Sequence, residues 1–328
     1  MNTRKILITG GAGFIGYHLA ERLSQGKCRI DIADNLSRGE FDRDLKRLIK
    51  KPNIRFIKTD LTDRKSYKLL GRDYDYIYHM AAIVGVKKVI EHPDRVLYIN
   101  ITSILNLLEW IRTTQNNLKR LLFASTSEVY AGSMRCCDIP IPTGEDIILS
   151  LESTHMPRTT YALSKIVGES ACFSYLKNKT PFTIVRYHNV YGPRMGYSHV
   201  IPELMVKAKA RGNYLGVFSV NHTRAFCYIS DAVLATIGLA ESKAASNQIF
   251  NVGNSDEEIA IKDLAQRIVK LVNPSLKIKP LGNQEGSPVR RCPDISKLKL
   301  ATGFRPEISL DEGIRLTWQW YSGGVKKI

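Results

Sequence analysis

The chain is predicted to be an α/β protein with a doubly wound parallel sheet, on three observations. Short strand-like segments recur at 4–9, where the apolar stripe is continuous, and at 29–33, 54–58, 74–80, 121–125 and 182–187. Segments with helical periodicity, the clearest at 17–25, 95–113 and 158–177, fall between them. Strands alternating with helices imply parallel pairing. Strands without polar alternation imply a sheet covered on both faces. The third observation is a glycine-rich turn, Gly10 to Gly16, between the first strand and the first helix.

The elements follow in order. Segment 4–9 places Ile6, Leu7 and Ile8 in succession, as a doubly covered strand requires. Segment 17–25 is the first helix, and 29–33 a strand that ends at Asp34. The basic run 43–51 reads as one face of a surface helix. Beyond about Asn189 the pattern loosens, punctuated by Pro193, Pro202, Gly212 and Gly216. Strand-like 225–229 and 248–252 are expected to return to the main sheet. Residues 1–188, with returning segments near 223–253, therefore form a dinucleotide-binding domain. Residues 189–328 form a smaller, discontinuous region that closes over the carboxyl edge of the sheet and binds substrate.

Composition narrows the function. A chain of 328 residues is long enough for a large buried core. Its apolar runs are too short for a membrane span or a signal peptide, so a cytoplasmic enzyme is expected. None of its six cysteines forms a C-x-x-C pair, and no metal site is expected. The formal charge of +17 is spread along the whole length. That spread suits a polyanionic small molecule as well as a nucleic acid, and nucleic-acid or membrane binding is not the expected primary role.

The glycines Gly10, Gly13 and Gly16 lie in the turn that opens the first helix. Glycines here permit a tight turn and close approach of backbone N–H groups to a pyrophosphate, which the helix dipole favours. Asp34 stands where an acid would hold the adenosine ribose hydroxyls, and its charge repels a 2′-phosphate. NAD is therefore expected over NADP, a preference that Arg38 nearby weakens. Asp60, after the third strand, reads as an adenine contact or a helix cap. In a helix Tyr161 and Lys165 lie one turn apart on one face. An ammonium beside a phenol lowers the phenol pKa from its usual value of about 10, making a general base.

These motifs, in this order, resemble the extended short-chain dehydrogenase/reductases, and within them the NAD-dependent nucleotide-sugar epimerases and dehydratases. The resemblance runs through Gly10 to Gly16, Asp34-Asn35-Leu36, His79-Met80-Ala81-Ala82, Asn100, Ser125 to Tyr130, Tyr161 to Lys165 and Arg186 to Arg194. It continues through Thr223 to Phe226 with Asp231, and Arg290 to Ile295. It implies a Rossmann-type fold with NAD on Gly10, Gly13, Phe14, Ile15, Gly16, Asp34, Asn35, Asp60, Leu61, Ala81, Ala82, Asn100, Tyr161, Lys165 and Tyr187. It makes Tyr161 the base, Lys165 its partner, and Thr126 the group that meets the reacting sugar oxygen. Asn189, His199, Val200, Arg224 and Arg290 match substrate positions, with Arg224 and Arg290 set to meet the diphosphate and a one-residue ambiguity between Arg290 and Arg291. A UDP-sugar is the expected substrate. A homodimer is expected to form by pairing helices 95–113 and 158–177 of two copies.

The shared first step of such enzymes oxidises sugar C4. Dehydratases follow the threonine with Asp-Glu, whereas this chain has Ser127-Glu128. The phrase Ser125-Thr126-Ser127-Glu128-Val129-Tyr130 also resembles UDP-glucuronate decarboxylases, which carry an additional arginine after the Gly-Pro-Arg-Met phrase. Segment 196–202 has none. C4 epimerisation is therefore the favoured reading. The alternatives are decarboxylation, 4,6-dehydration, a 4-dehydrogenase that stops at the keto sugar, and a non-catalytic NAD-binding sensor. Glu128 reads as a base or as structural. His188 and His199 read as acid/base groups by position or as packed histidines. The insertion at 131–160 reads as a specificity loop or a surface elaboration.

Overall fold

The computed structural model describes residues 3–37, 41–210, 212–284 and 286–323. Arg38 lies outside the described residues. Six strands, β1 (Arg4–Thr9), β2 (Cys28–Asp34), β3 (Ile54–Lys58), β4 (Tyr76–His79), β5 (Arg120–Thr126) and β6 (Phe182–Tyr187), join Gln248–Val252 in one sheet. Its order is Gln248–Val252, β6, β5, β4, β1, β2, β3, and every pair is parallel. The chain winds outward from β1 in one direction and then in the other. The crevice between β1 and β4 is thus a switch point, where open parallel sheets bind their ligands.

Strand alternation builds two cores. Ile6, Ile8, Ile30, Ile32, Leu122 and Val185 pack beneath α1 (Phe14–Leu23) and the helix Ile229–Glu241. Leu7, Ile77, Leu121, Phe123 and Ile184 pack against the helices Pro93–Thr114 and Thr159–Leu176. Burial on both faces explains why these strands lack the polar alternation of a half-exposed sheet.

Of the two segments expected to return to the sheet, Gln248–Val252 does so, against β6. Segment 225–229 does not. It splits into Thr223–Ala225 and Cys227–Tyr228, and the latter pairs with Val190–Tyr191 outside the main sheet. Thr223–Ala225 is the centre of a separate three-stranded sheet, between Glu258–Ala260 and Arg290–Arg291. This small sheet stands over the carboxyl ends of β5 and β6 and brings residues far apart in sequence to the crevice. Among the described residues, no helix is long and apolar enough to cross a membrane.

Candidate active site

A cavity of about 480 Å³ runs along the carboxyl edge of the sheet. At one end it is built from backbone. Gly10, at φ +69°, donates its N–H to Ala33 O at 2.8 Å and accepts from Gly13 N at 3.0 Å. A Cβ on Gly10 would lie 2.6 Å from Ala81 N, and one on Gly16 would lie 2.4 Å from Gly10 O. Only glycine fits at either place. Gly13 caps α1 without a side-chain hydrogen bond, so the first-turn N–H groups stay available to an anion.

Asp34 closes this end. Its Oδ2 accepts from Ala12 N at 3.0 Å and its Oδ1 from Leu36 N at 2.8 Å, which fixes the carboxylate across the turn. Burial raises its pKa, and these two hydrogen bonds oppose the rise. Asp60 accepts from Thr62 N and Oγ1 and from Asn35 Nδ2. Burial would raise its pKa, but those bonds prevail and hold it below the usual carboxylate range. Phe14, Ile15, Asn35, Leu61, Ala81, Ala82 and Tyr187 line the same cavity. The cramped glycine turn with an acidic residue at its rim fits a dinucleotide.

Asn100 was expected to touch the cofactor, but the structure places it behind the wall. Its Oδ1 accepts from Ile83 N at 2.7 Å, and its Nδ2 donates to Ile83 O and Ser164 Oγ, both at 3.1 Å. It ties a wall residue to the Tyr161 helix and does not line the cavity.

At mid-cavity stand Tyr161, Lys165 and Thr126. The Lys165 Nζ donates to Ala124 O at 2.7 Å and lies 6.0 Å from the Tyr161 ring centre. Burial pushes the Lys165 pKa down to about 8, against the pull of the Glu169 charge. Thr126 caps the short helical turn Ser127–Tyr130 and so points its hydroxyl at the site from the end of β5.

The far end is built from side chains. Glu128 and Arg291 form an ion pair at 2.6 Å. Arg291 is almost fully buried, and its Nε and Nη2 have no hydrogen-bond partner among the described residues. Burial would raise the Glu128 pKa, but Arg291, Arg158 and Arg224 together outweigh it and hold the carboxyl below its usual value. Arg224 donates to Thr223 O, Ser287 Oγ and Pro288 O, which straps the loop around residue 287 to the cavity wall. Burial and the like charge of Arg291 lower its pKa to about 10. Asn189, His199 and Val200 line this end as well.

Arg290 does not. In the two-residue strand Arg290–Arg291 successive side chains take opposite faces. Arg290 points to solvent and pairs with Glu258 at 2.8 Å, while Arg291 enters the cavity. His188 is also outside, fully buried, with Nε2 on Asn251 Oδ1 at 3.0 Å and its pKa pushed by burial to about 3. That environment suits a packed neutral histidine. Arg158 was missed from sequence, although its place three residues before Tyr161 put it on the same helix face.

The family model described as the NAD dependent epimerase/dehydratase family matches residues 6–253. The chain belongs to that family. It is an NAD-dependent enzyme that modifies nucleotide sugars. It is 35% identical to a UDP-N-acetyl-alpha-D-glucosaminuronate decarboxylase of Bacillus cytotoxicus, over 97% of this chain and 98% of that one. It is 30% identical to a UDP-glucuronate 4-epimerase of Thermodesulfobacterium geofontis, over 98% and 97%. The crystal structure of UDP-glucuronic acid 4-epimerase from Bacillus cereus in complex with NAD superposes with a TM-score of 0.81. There the identity is 28%, covering 97% of this chain and 99% of that one.

Proposed function

We propose that this enzyme decarboxylates a UDP-hexuronate, or its 2-acetamido counterpart, through a 4-keto intermediate. The observation that carries this reading is Arg291, buried beside Glu128 with two guanidinium N–H groups unengaged. We assign a sugar carboxylate to that fork in place of the diphosphate expected at this arginine, and leave the diphosphate to Arg224. The arginine sought in segment 196–202 is thus supplied from a distant strand, and Arg158 adds a second cation.

Tyr161 takes the proton of the C4 hydroxyl, assisted by the Lys165 charge. Bound NAD accepts the C4 hydride in the first step and returns it in the last. The carboxyl carbon on C5 is then β to a ketone. Its bond to C5 breaks, carbon dioxide leaves, and the electron pair enters the C4 carbonyl as an enolate. Thr126 and Tyr161 hold that oxygen. Water supplies the proton added at C5, and Tyr161 returns its own to the C4 oxygen. Arg291 and Arg158 orient the carboxylate, and Glu128 fixes Arg291.

C4 epimerisation is the second reading, supported by the 4-epimerase relative and by Thr126 with Tyr161, which suffice for oxidation and reduction at C4. Product analysis by mass spectrometry with UDP-glucuronate and UDP-N-acetylglucosaminuronate separates the two. Loss of carbon dioxide is expected. An unchanged mass with a changed sugar gives epimerisation, loss of water gives dehydration, and a released keto sugar gives a dehydrogenase. No product and no reduced nicotinamide would leave a sensor. The helices Pro93–Thr114 and Thr159–Leu176 pack side by side on one face and leave Tyr98 exposed, which supports a homodimer through that face. Light scattering at micromolar concentration tests it.

A further inference from the structure

A buried hydrogen-bonded chain runs behind the cavity and touches each catalytic part from the rear. Glu169 lies one turn beyond Lys165 on the same helix and accepts from Ser125 Oγ at 2.5 Å. Arg186, on β6, meets Glu169 through Nε at 2.9 Å and Nη2 at 2.6 Å. The Arg186 Nη1 donates to Tyr130 Oη at 2.8 Å, at the end of the turn that carries Thr126 and Glu128. The Tyr130 hydroxyl donates to Asn251 Oδ1 at 2.9 Å.

Asn251 is the hub. Its Oδ1 also receives His188 Nε2 at 3.0 Å, and its Nδ2 donates to Thr143 O at 3.0 Å and Asp294 O at 3.2 Å. Its own N–H donates to Glu145 Oε1 at 2.8 Å. All four side-chain positions of the amide are filled. Thr143 in turn donates its N–H to Cys292 O and accepts from Asp294 N, both at 2.9 Å. Cys292 follows Arg291 directly. One fully buried amide thus holds the Glu128 turn by one edge and the Arg291 segment by the other.

We infer that Asn251 is a positioning residue that sets the distance between the Glu128–Arg291 pair and Tyr161, and so decides what becomes of the keto sugar. It does not line the cavity. The first oxidation needs only the Tyr161 helix, Thr126 and the glycine turn. The later step at C5 needs the arginine pair in register. The inference rests on the oxidation-first reading above. It also gives the 131–160 insertion a role, since Thr143 and Glu145 brace the hub.

The test follows reduced-nicotinamide absorbance and product mass for the full chain with UDP-glucuronate and its 2-acetamido counterpart. Asn251→Asp keeps the acceptor oxygens but loses both donations to Thr143 and Asp294. Tyr130→Phe removes the bond from the turn to Asn251 and the bond that Tyr130 accepts from Arg186, which keeps Glu145 O as a partner. Both variants are expected to keep the rise in absorbance within about twofold of the wild type. Both are expected to release keto sugar at least about tenfold more often per completed turnover. Thermal melting with and without NAD reports how much of each variant is folded. A merely structural role lowers both half-reactions together and leaves the ratio of keto sugar to final product unchanged, and that result overturns the inference. If the wild type shows neither a transient rise in absorbance on rapid mixing nor any product with either sugar, the oxidation-first reading itself falls, and the inference with it.

Discussion

The two ends of the cavity both prepare for anions, and they do so by opposite means. At the glycine turn the donors are backbone N–H groups and a helix terminus, held by Gly10, Gly13 and Gly16 within seven residues. At the arginine end the donors are Arg158, Arg224 and Arg291, side chains drawn from three segments well separated in the sequence. A backbone cradle costs little to organise, carries no net charge, and serves any pyrophosphate. A side-chain cluster must be braced against its own repulsion, here by Glu128 and by the straps on Arg224. In return it can read one functional group on one sugar.

Substitutions can break that contrast. Gly10→Ala places a methyl 2.6 Å from Ala81 N at φ +69°. Strain of about 3 kcal/mol, roughly 10²-fold in NAD affinity, is expected. Titration calorimetry checks it, and binding unchanged from wild type would show that the turn can open. Arg291→Lys keeps the charge but loses the fork. About 2 kcal/mol is expected, a roughly 30-fold loss in kcat/KM for a hexuronate with little change for a neutral UDP-hexose that is only oxidised. An equal loss for both sugars would remove the arginine from carboxylate recognition. Asp34→Asn turns an acceptor into a donor against Ala12 N or Leu36 N. NAD affinity should fall roughly tenfold while discrimination against NADP weakens, as competitive titration of the two would show.

The smallest effect is one of pH. The Lys165 pKa of about 8 in the folded chain lies below its unfolded value of about 10.4. Between those values the unfolded state binds more protons, so the Lys165 contribution to stability rises with pH through that window. Activity moves the other way, because the ammonium is lost above about pH 8. A pH–rate profile falling on that limb, with a melting temperature whose pH slope flattens in Lys165→Met, checks both signs.

The contrast also decides what could be read from sequence. The strands β1, β3 and β6 begin and end where expected, and in β6, buried along its whole length, no polar face blurs the limits. The glycine turn, Asp34, Thr126 and the Tyr161–Lys165 pair are local patterns and were legible. Arg291 was left one residue ambiguous, because its direction is set by pairing with Thr223–Ala225, nearly seventy residues earlier. The bonds of Asn100 to Ile83 and Ser164 are not legible locally, since no local pattern connects those residues to it. Strand-like 225–229 broke in two because its neighbours are Glu258–Ala260 and Val190–Tyr191, which proximity in sequence does not suggest.

The pairing of Arg290–Arg291 against Thr223–Arg224 has one more consequence. A deletion of one residue in the loop before it would shift the strand by one place and exchange inward and outward faces. At most positions such a slip would trade a buried group for one of opposite character. Here it would bring Cys292 to the place of Arg291 and carry Arg290, turned inward, two residues away from it. The doubled arginine therefore gives no tolerance, and the loop that feeds this short strand must keep its length for a cation to meet Glu128.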